Sequence, residues 1–396
     1  MKILVANLGS TSFKYSLFDM SDETLLARGR VERIGEPESP CSVSIGGKSF
    51  EITACVPDHA VAVRQCLAQL TDPETGCLNS AADVAAIGFK AVMASGYSGV
   101  QWVTPALLDA MEELNKVMPA HNPPYVRAMR LLNEKLPDIP LVAAFETGFH
   151  ESIPDHNRYY GVPLEWAEQY SARRFGFHGA SHRYIATRCA ELFGENKRII
   201  SCHLGGSSSV CAIADGKSRG SSMGSSAQTG LFHNNRVGDF DPFMTSHLMA
   251  KLGKTFDEML DLFSTKCGLL GLSGVSSDFR DVMKEVAAGN KRAKLAVDVF
   301  VGDVRRYLGA FLVELGGVDV IVFTGGIGER QPEIRQLVCR ELTGLGIELD
   351  EAKNATCMAE EMPLQTAAST TQIWVVPTNE EIIVARQTVA KLNERA

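Results

Sequence analysis

Short apolar runs alternate with longer amphipathic stretches along the whole chain, a pattern that predicts an α/β protein. Strands are expected over residues 3–6, 14–18, 141–145, 199–203, 209–212, 318–323 and 373–376. Helices are expected over residues 104–117, 125–135, 181–192, 293–315, 332–342 and 380–393. No low-complexity tract or block of like charge interrupts the pattern, so any hinge between halves is short.

One stretch of the pattern occurs twice. Val5-Ala6-Asn7-Leu8-Gly9-Ser10-Thr11-Ser12-Phe13-Lys14 reads as strand, Gly/Ser turn, strand. Ser201-Cys202-His203-Leu204-Gly205-Gly206-Ser207-Ser208-Ser209-Val210 has the same layout, and each copy runs on into another apolar strand. Two hairpins with small hydroxylated tips present backbone N–H groups and hydroxyls that suit phosphate oxygens. Two unrelated Gly/Ser turns would look the same, and the pattern alone leaves both readings open.

At 396 residues the chain is longer than one hydrophobic core serves well, so two domains are expected. Apolar residues at 45% and charged residues at 22% fit a folded enzyme. A net charge of −8 offers no basic face for nucleic acid or anionic lipid, so anionic ligands must be met by local cations and backbone amides. The first residues read as a buried strand rather than a signal peptide, and no apolar run is long enough to span a membrane. Ten cysteines are scattered without a C-x-x-C pair, which argues against disulfide staples or a zinc site and for a reducing cytoplasm.

Gly-Lys-Ser/Thr occurs three times, ending at Ser49, Ser218 and Thr255. A phosphate loop of the P-loop type needs a further Gly where Ser42, Cys211 and Leu248 stand, so none qualifies. The run from Val320 to Glu329 is a buried strand feeding Gly325, Gly326 and Gly328. That arrangement lets a nucleotide approach the backbone at a helix start, although Gln331 replaces the third Gly of a dinucleotide fingerprint. Between Cys267 and Arg280 another Gly/Ser-rich stretch ends in Asp278-Phe279-Arg280. A carboxylate there suits ribose hydroxyls and a guanidinium suits a base or phosphate, while Ser277 or Asp278 can equally cap a helix.

Taken in order, these segments resemble the acetate kinase family. The resemblance is carried by Asn-x-Gly-Ser-x-Ser-x-Lys (7–14), Gly-Phe-His-Gly-x-Ser-His (176–182), the hairpin 203–208, Ser-Met-Gly (222–224) and Arg-x-Gly-Asp-x-Asp-Pro (236–242). It continues through Gly-Leu-Leu-Gly-x-Ser-Gly-x-Ser-Ser-Asp (268–278), Phe-Thr-x-Gly-Ile-Gly-Glu (323–329) and Pro-Thr-Asn-Glu-Glu (377–381). The family implies the duplicated actin, hexokinase and heat-shock ATPase fold, ribonuclease H-like, with two lobes and a cleft between them. Lobe one would comprise residues 1–147 completed by helix 380–396, and lobe two residues 148–379.

The resemblance further implies ATP and Mg²⁺ (or Mn²⁺), a short carboxylate acceptor and a homodimer. It places Asn7, Ser10, Ser12 and Lys14 on the first phosphate hairpin, with Asn7 and Glu380 toward the metal. It places His203, Gly205, Gly206 and Ser207 on the second hairpin, and Asp278, Phe279, Arg280, Gly326, Ile327 and Gly328 around adenosine. Arg236 and His178 would act on the transferring phosphoryl group, with His121 and His203 beside it. Each of these residues read alone is as well explained by a structural role.

Several positions depart from the family's pattern. His-Arg-Val-Val-His-Gly-Gly is Phe89-Lys90-Ala91-Val92-Met93-Ala94-Ser95 here, so the second clamp Arg is Lys90, a point charge without the planar fork. The Asp of Phe-Asp-Thr is Glu146, whose extra methylene moves the carboxylate by roughly 1 Å in a setting where Mg²⁺ demands tight geometry. The hairpin Asn is Gly206, and Phe-Thr-Pro-Leu-Glu-Gly-Leu-x-x-Gly-Thr-Arg has become the stretch from Ser225 to Arg236, with Ala227 in place of Pro. Met93 and Phe232 are expected to reshape the acyl pocket.

The expected activity is in-line transfer of the ATP γ-phosphoryl group to a carboxylate oxygen, with acetate first among acceptors. That acceptor is already ionised near neutral pH, so no general base is needed. A different small acid, or a nucleotide-binding regulatory protein that has lost catalysis, are the alternatives.

Overall fold

The computed structural model describes residues 1–9, 11–118 and 121–394. The chain forms two compact units: Met1–Gly148 together with the segment from Asn379 onward, and Phe149–Thr378. Each unit is built on one mixed sheet.

In the first unit the strands are β1 (Lys2–Leu8), β2 (Phe13–Asp19), β3 (Thr24–Val31), β4 (Ser39–Ile45), β5 (Lys48–Ala54), β6 (Val84–Ala91), β7 (Val100–Trp102) and β8 (Leu141–Phe145). Their order across the sheet is β5-β4-β3-β2-β1-β6-β8-β7. The meander β1–β2–β3 is antiparallel, whereas β1, β6 and β8 run parallel. Strands at the parallel centre are covered on both faces, which is why β8 reads Leu-Val-Ala-Ala-Phe with every residue buried. The edge strand β5 is almost wholly exposed and carries Lys48, Ser49 and Glu51, polar positions that discourage pairing with another chain. One core packs helix His59–Leu70 and helix Asn122–Lys135 under the sheet through Leu67, Leu70, Met129 and Leu132. The C-terminal helix Glu380–Asn393 packs across β1, β6 and β8, which brings residue 380 beside the ends of those strands.

The second unit repeats the plan with β9 (Arg198–His203), β10 (Ser209–Ala214), β11 (Lys217–Ser221), β12 (Val320–Thr324), β13 (Met362–Pro363) and β14 (Gln372–Val375). Their order is β11-β10-β9-β12-β14-β13. Again an antiparallel meander, β9–β10–β11, leads to parallel partners, β9, β12 and β14. The series β3-β2-β1-β6-β8 and β11-β10-β9-β12-β14 thus share one topology, the duplicated fold that the family resemblance implies. The echo in the sequence is its first hairpin: Leu8 pairs with Phe13 in one copy and His203 with Ser209 in the other.

A 24-residue helix, Lys291–Glu314, forms the floor of the second core through Ala293, Phe300, Val304 and Leu308. Phe232 belongs to that core, with its ring centroid 5.6 Å from Phe300.

Candidate functional site

In the first unit the β1–β2 hairpin places Asn7 directly opposite Lys14. Its tip is closed by the Gly9 N–H donating to the Ser12 carbonyl at 2.8 Å, and His59 Nε2 lies 2.9 Å from the Gly9 carbonyl. Ser10 falls outside the described residues. Lys14 is exposed and lines a groove of about 360 Å³ with Arg28, Arg30 and Glu381.

Beside the hairpin lies a group of polar residues organised by Tyr125. The Tyr125 hydroxyl donates to Asn7 Oδ1 at 3.0 Å and accepts the Leu8 N–H at 3.3 Å. Lys90, at the end of β6, pairs with Glu380 at the start of the C-terminal helix. Glu146 lies just beyond β8, is only 4% exposed, and is near enough to act on the Lys90 charge. Burial alone would lower the Lys90 pKa, but the Glu146 and Glu380 carboxylates more than reverse this and hold the ammonium protonated. Burial also pushes the Tyr125 phenol up to about 12, so it stays a neutral donor. Asn7, Lys90, Glu146 and Glu380 are therefore neighbours in this unit although they come from four separate elements.

Glu146 and Glu380 bring hard carboxylate oxygens to the neighbourhood of the Lys90 ammonium. That donor set fits Mg²⁺, which commonly takes one or two carboxylates and fills its other positions with water and phosphate oxygens. Among the described residues no three His, Cys, Asp or Glu side chains converge as a complete metal cage.

In the second unit the Gly-rich segments meet. Gly325 has φ +75°, and a Cβ there would sit 2.7 Å from the Leu204 carbonyl oxygen, so only Gly lets this turn lie on the β9–β10 hairpin. The Leu204 carbonyl accepts the Ile327 N–H at 2.8 Å and the Gly328 N–H at 3.1 Å, and Glu329 Oε1 accepts the Gly325 N–H at 2.8 Å. A cavity of about 440 Å³ opens beside this junction, lined by Gly205, Gly206, Asn234, Asp278, Phe279, Arg280, Gly326 and Ile327, among others. Its volume falls in the range of small-molecule sites. Gly328 and Ser207 are not among the lining residues.

Asp278 does cap the helix Phe279–Ala287, accepting the Arg280 N–H at 2.9 Å, and also binds the Arg280 guanidinium at 2.6 Å. That pairing, with the backbone bond, lowers the Asp278 pKa to about 2. The capping reading of Asp278 is thus seen directly, and the carboxylate is also paired with Arg280.

Arg236 lies on a loop strapped to the helix Gly268–Ser273. Cys267, Leu269 and Leu270 donate N–H bonds to the carbonyls of Asn235, His233 and Asn234. A Cβ on Gly268 would come within 2.0 Å of the His233 carbonyl oxygen, so the close strap requires Gly there. Arg236 Nη1 donates to the Ala227 carbonyl at 2.7 Å, and burial pulls its pKa down to about 10, still charged at neutral pH.

His178 adopts a left-handed backbone (φ 57°, ψ 32°) at the start of helix Gly179–Phe193, a conformation uncommon for a residue with a side chain. Its Nδ1 lies 2.8 Å from Ser209 Oγ, and its ring is 4.2 Å from that of His203. His203 Nδ1 is 2.8 Å from Ser181 Oγ, while the buried His182 bridges Ser201 and Ser209. Burial drives the His182 pKa far down, so His182 is neutral and serves as a hydrogen-bonded strut. His121 precedes helix Asn122–Lys135 in the first unit.

Tyr125, His59, His182, His233 and Asn234 were not legible as site residues. For Tyr125 a signal existed: a Tyr on the buried face of a helix needs a partner for its hydroxyl. Residues 233 and 234 carried none, because their contacts depend on a loop folding back onto the hairpin.

Comparison with known proteins agrees with this geometry. The acetokinase family model matches residues 2–386. The acetate kinases of Desulfitobacterium hafniense (strain DSM 10664 / DCB-2) and Moorella thermoacetica are each 41% identical over 394 residues. These matches cover 98% of this chain in both cases, and 98% and 99% of the relatives. A crystal structure of Porphyromonas gingivalis acetate kinase superposes with a TM-score of 0.89 at 36% identity, covering 99% of each chain. A propionate kinase from Francisella tularensis subsp. tularensis SCHU S4 gives 0.88 at 28% identity, covering 98% of each. With its duplicated sheet, its ordered motifs and these full-length matches, the chain belongs to the acetokinase family.

Proposed function

We propose that this protein is a phosphotransferase that moves the γ-phosphoryl group of ATP reversibly onto a short-chain carboxylate, acetate first, to give an acyl phosphate. The observation that carries the reading is the second-unit cavity, where three separated motifs, 203–208, 268–280 and 323–329, converge in a chain that the family model matches over residues 2–386. In this reading Asp278, Phe279, Arg280, Gly326 and Ile327 hold adenosine, with Gly328 supporting the turn through Leu204. In the second unit the hairpin residues Gly205, Gly206 and Ser207 offer donors to phosphate oxygens, and in the first unit Asn7, Ser10, Ser12 and Lys14 offer another set of the same kind. Mg²⁺, when bound by Glu380 and Glu146 with Asn7 close by, would neutralise charge on the phosphate oxygens.

In this reading His178 and Arg236 supply a hydrogen-bonding ring and a cation for the charge that develops during transfer, with His178 held by Ser209 and its ring 4.2 Å from that of His203. Lys90 keeps a positive charge between Glu146 and Glu380. The chemistry is positioning and charge neutralisation, since the acceptor carboxylate needs no deprotonation.

No helix among the described residues is long and apolar enough to cross a membrane. We take the protein to work in the cytoplasm as a homodimer, which sedimentation and fractionation would check.

The test is hydroxamate trapping of acyl phosphate with acetate and Mg-ATP. Acetyl hydroxamate formation that depends on both substrates supports the proposal, and its absence with every short acid tried would sink it. The likeness to a propionate kinase makes a longer acid the second reading, and the same assay across a series of acids ranks the two.

A further inference from the structure

Gly206, at the tip of the β9–β10 hairpin, is exposed and bears no side chain, yet the residue facing it carries a carboxamide. Asn234 donates its backbone N–H to the Gly206 carbonyl at 3.1 Å, while its own carbonyl accepts the Leu270 N–H at 2.8 Å. The neighbouring His233 accepts the Ser208 N–H on Nδ1 at 3.0 Å. Two successive residues of this segment are thus tied to the hairpin, and Asn234 is fixed from both sides. A Cβ built on Gly206 would sit 3.2 Å from Asn234 Nδ2 and 3.7 Å from its Cγ. The Asn234 side chain therefore fills the space that a side chain at position 206 would use. It also lines the cavity, together with Gly205, Arg280 and Gly326.

We infer that Asn234 is a phosphate-binding residue, supplying to the nucleotide's phosphate chain the amide donor that the bare hairpin tip lacks. This rests on the ATP reading above. An amide N–H bonded to an ionised phosphate oxygen is a charge-assisted contact. Because the Asn234 backbone is already held, little ordering is needed when the ligand arrives. A glycine tip lets the phosphates come close to the backbone, and the donor then comes from the facing strap rather than from the hairpin itself. The arrangement also explains why position 206 tolerates Gly beside position 234 as Asn: both carry a side chain only at the cost of crowding at 3.2 Å.

Calorimetric titration of Mg-ADP and, separately, of adenosine tests this on the full-length wild type, Asn234→Gly, Asn234→Asp and the exchange variant Gly206→Asn/Asn234→Gly. Asn234→Gly is expected to weaken Mg-ADP about tenfold while leaving adenosine binding unchanged, which also shows that the variant is folded. Asn234→Asp keeps the shape but sets a negative charge against phosphate, so it should weaken Mg-ADP further and again spare adenosine. The exchange variant should recover most of the lost affinity. Equal Mg-ADP affinity in wild type and Asn234→Asp would overturn the inference, as would a parallel loss of adenosine and Mg-ADP binding, which marks a merely structural residue. A wild type that binds neither ligand would overturn the nucleotide reading itself, and this assignment with it.

Discussion

Replacing Lys90 with Met tests the polar group of the first unit at its centre. Lys90 and Glu380 have side chains that are 23% and 19% accessible, and Glu146 is 4% exposed, so the three charges are largely withdrawn from water. Removing one partner of a buried ion pair costs about 3–5 kcal/mol because the remaining charge loses its compensation. Residual access to water in the Lys90–Glu380 pair places the expected cost at the lower end, about 3 kcal/mol. For a unit of this size that lowers the melting temperature by about 6–12 °C.

The pH dependence adds a second signature. The folded-state Lys90 pKa is raised, so its stabilisation is complete below the unfolded value near ~10.4 and is lost only as pH rises through the folded pKa. Wild-type stability should thus show no Lys90 contribution to a slope around neutrality. In Lys90→Met both acidic side chains lose the ammonium that they act on. Ionising both is then costly, so stability should fall between about pH 5 and about pH 8. Millimolar Mg²⁺ should restore more stability to the variant than to the wild type, by binding the folded state with its excess negative charge. Thermal unfolding followed by circular dichroism at several pH values, with and without Mg²⁺, reads all three effects. A variant that melts within about 2 °C of wild type at every pH would refute the charge cluster as an energetic unit.

Other outcomes follow from the same geometry. Lys90→Arg should leave acetate activity flat or lower, because the fork must fit a space already shared with Glu146, Glu380 and Tyr125; a large gain in kcat/KM for acetate would count against this. Arg236→Ala should reduce kcat by about 10²-fold with little change in the KM for ATP, and an unchanged kcat with a raised acetate KM would assign it to binding alone. Asp278→Asn should keep the helix cap and hence the melting temperature while weakening Mg-ATP in calorimetry, whereas Asp278→Ala should lose both; unaltered affinity in the two variants would remove Asp278 from the adenosine site. His150, buried between Ser218 and Phe177, has its pKa lowered by burial to about 4, so its neutral form stabilises the fold above the unfolded value near ~6.5. That stabilisation, about 3 kcal/mol, is lost as pH falls through about 4, and His150→Gln should flatten the acid limb of a pH–stability curve; an unchanged limb would show that other groups govern it.

The sequence by itself determined the elements whose signal is local. Strand β8 and the C-terminal helix have the very bounds that periodicity assigns, because a continuous apolar run and a capped amphipathic stretch declare themselves within one window. The order of motifs announced the family and, through it, the duplicated sheet, because motif order is a property of linear sequence; the repeated Gly/Ser hairpin, open to two readings alone, is the first hairpin of each sheet. Strands β3 to β5 escaped because their exposed, polar positions blur alternation, and helix His59–Leu70 because its apolar face is broken by small residues.

Only the tertiary structure decided the partnerships within each site. Lys90 meets Glu380 from 290 residues away because the C-terminal helix packs back onto β6, and no periodicity encodes that return. Tyr125 joins Asn7 through the approach of a helix to a strand end. The assignment of Phe232 to the core and of Asn234 to the hairpin depends on which way one strapped loop faces. Hydrophobic burial specifies elements one at a time, whereas the placement of polar side chains depends on long-range packing that only the assembled chain fixes.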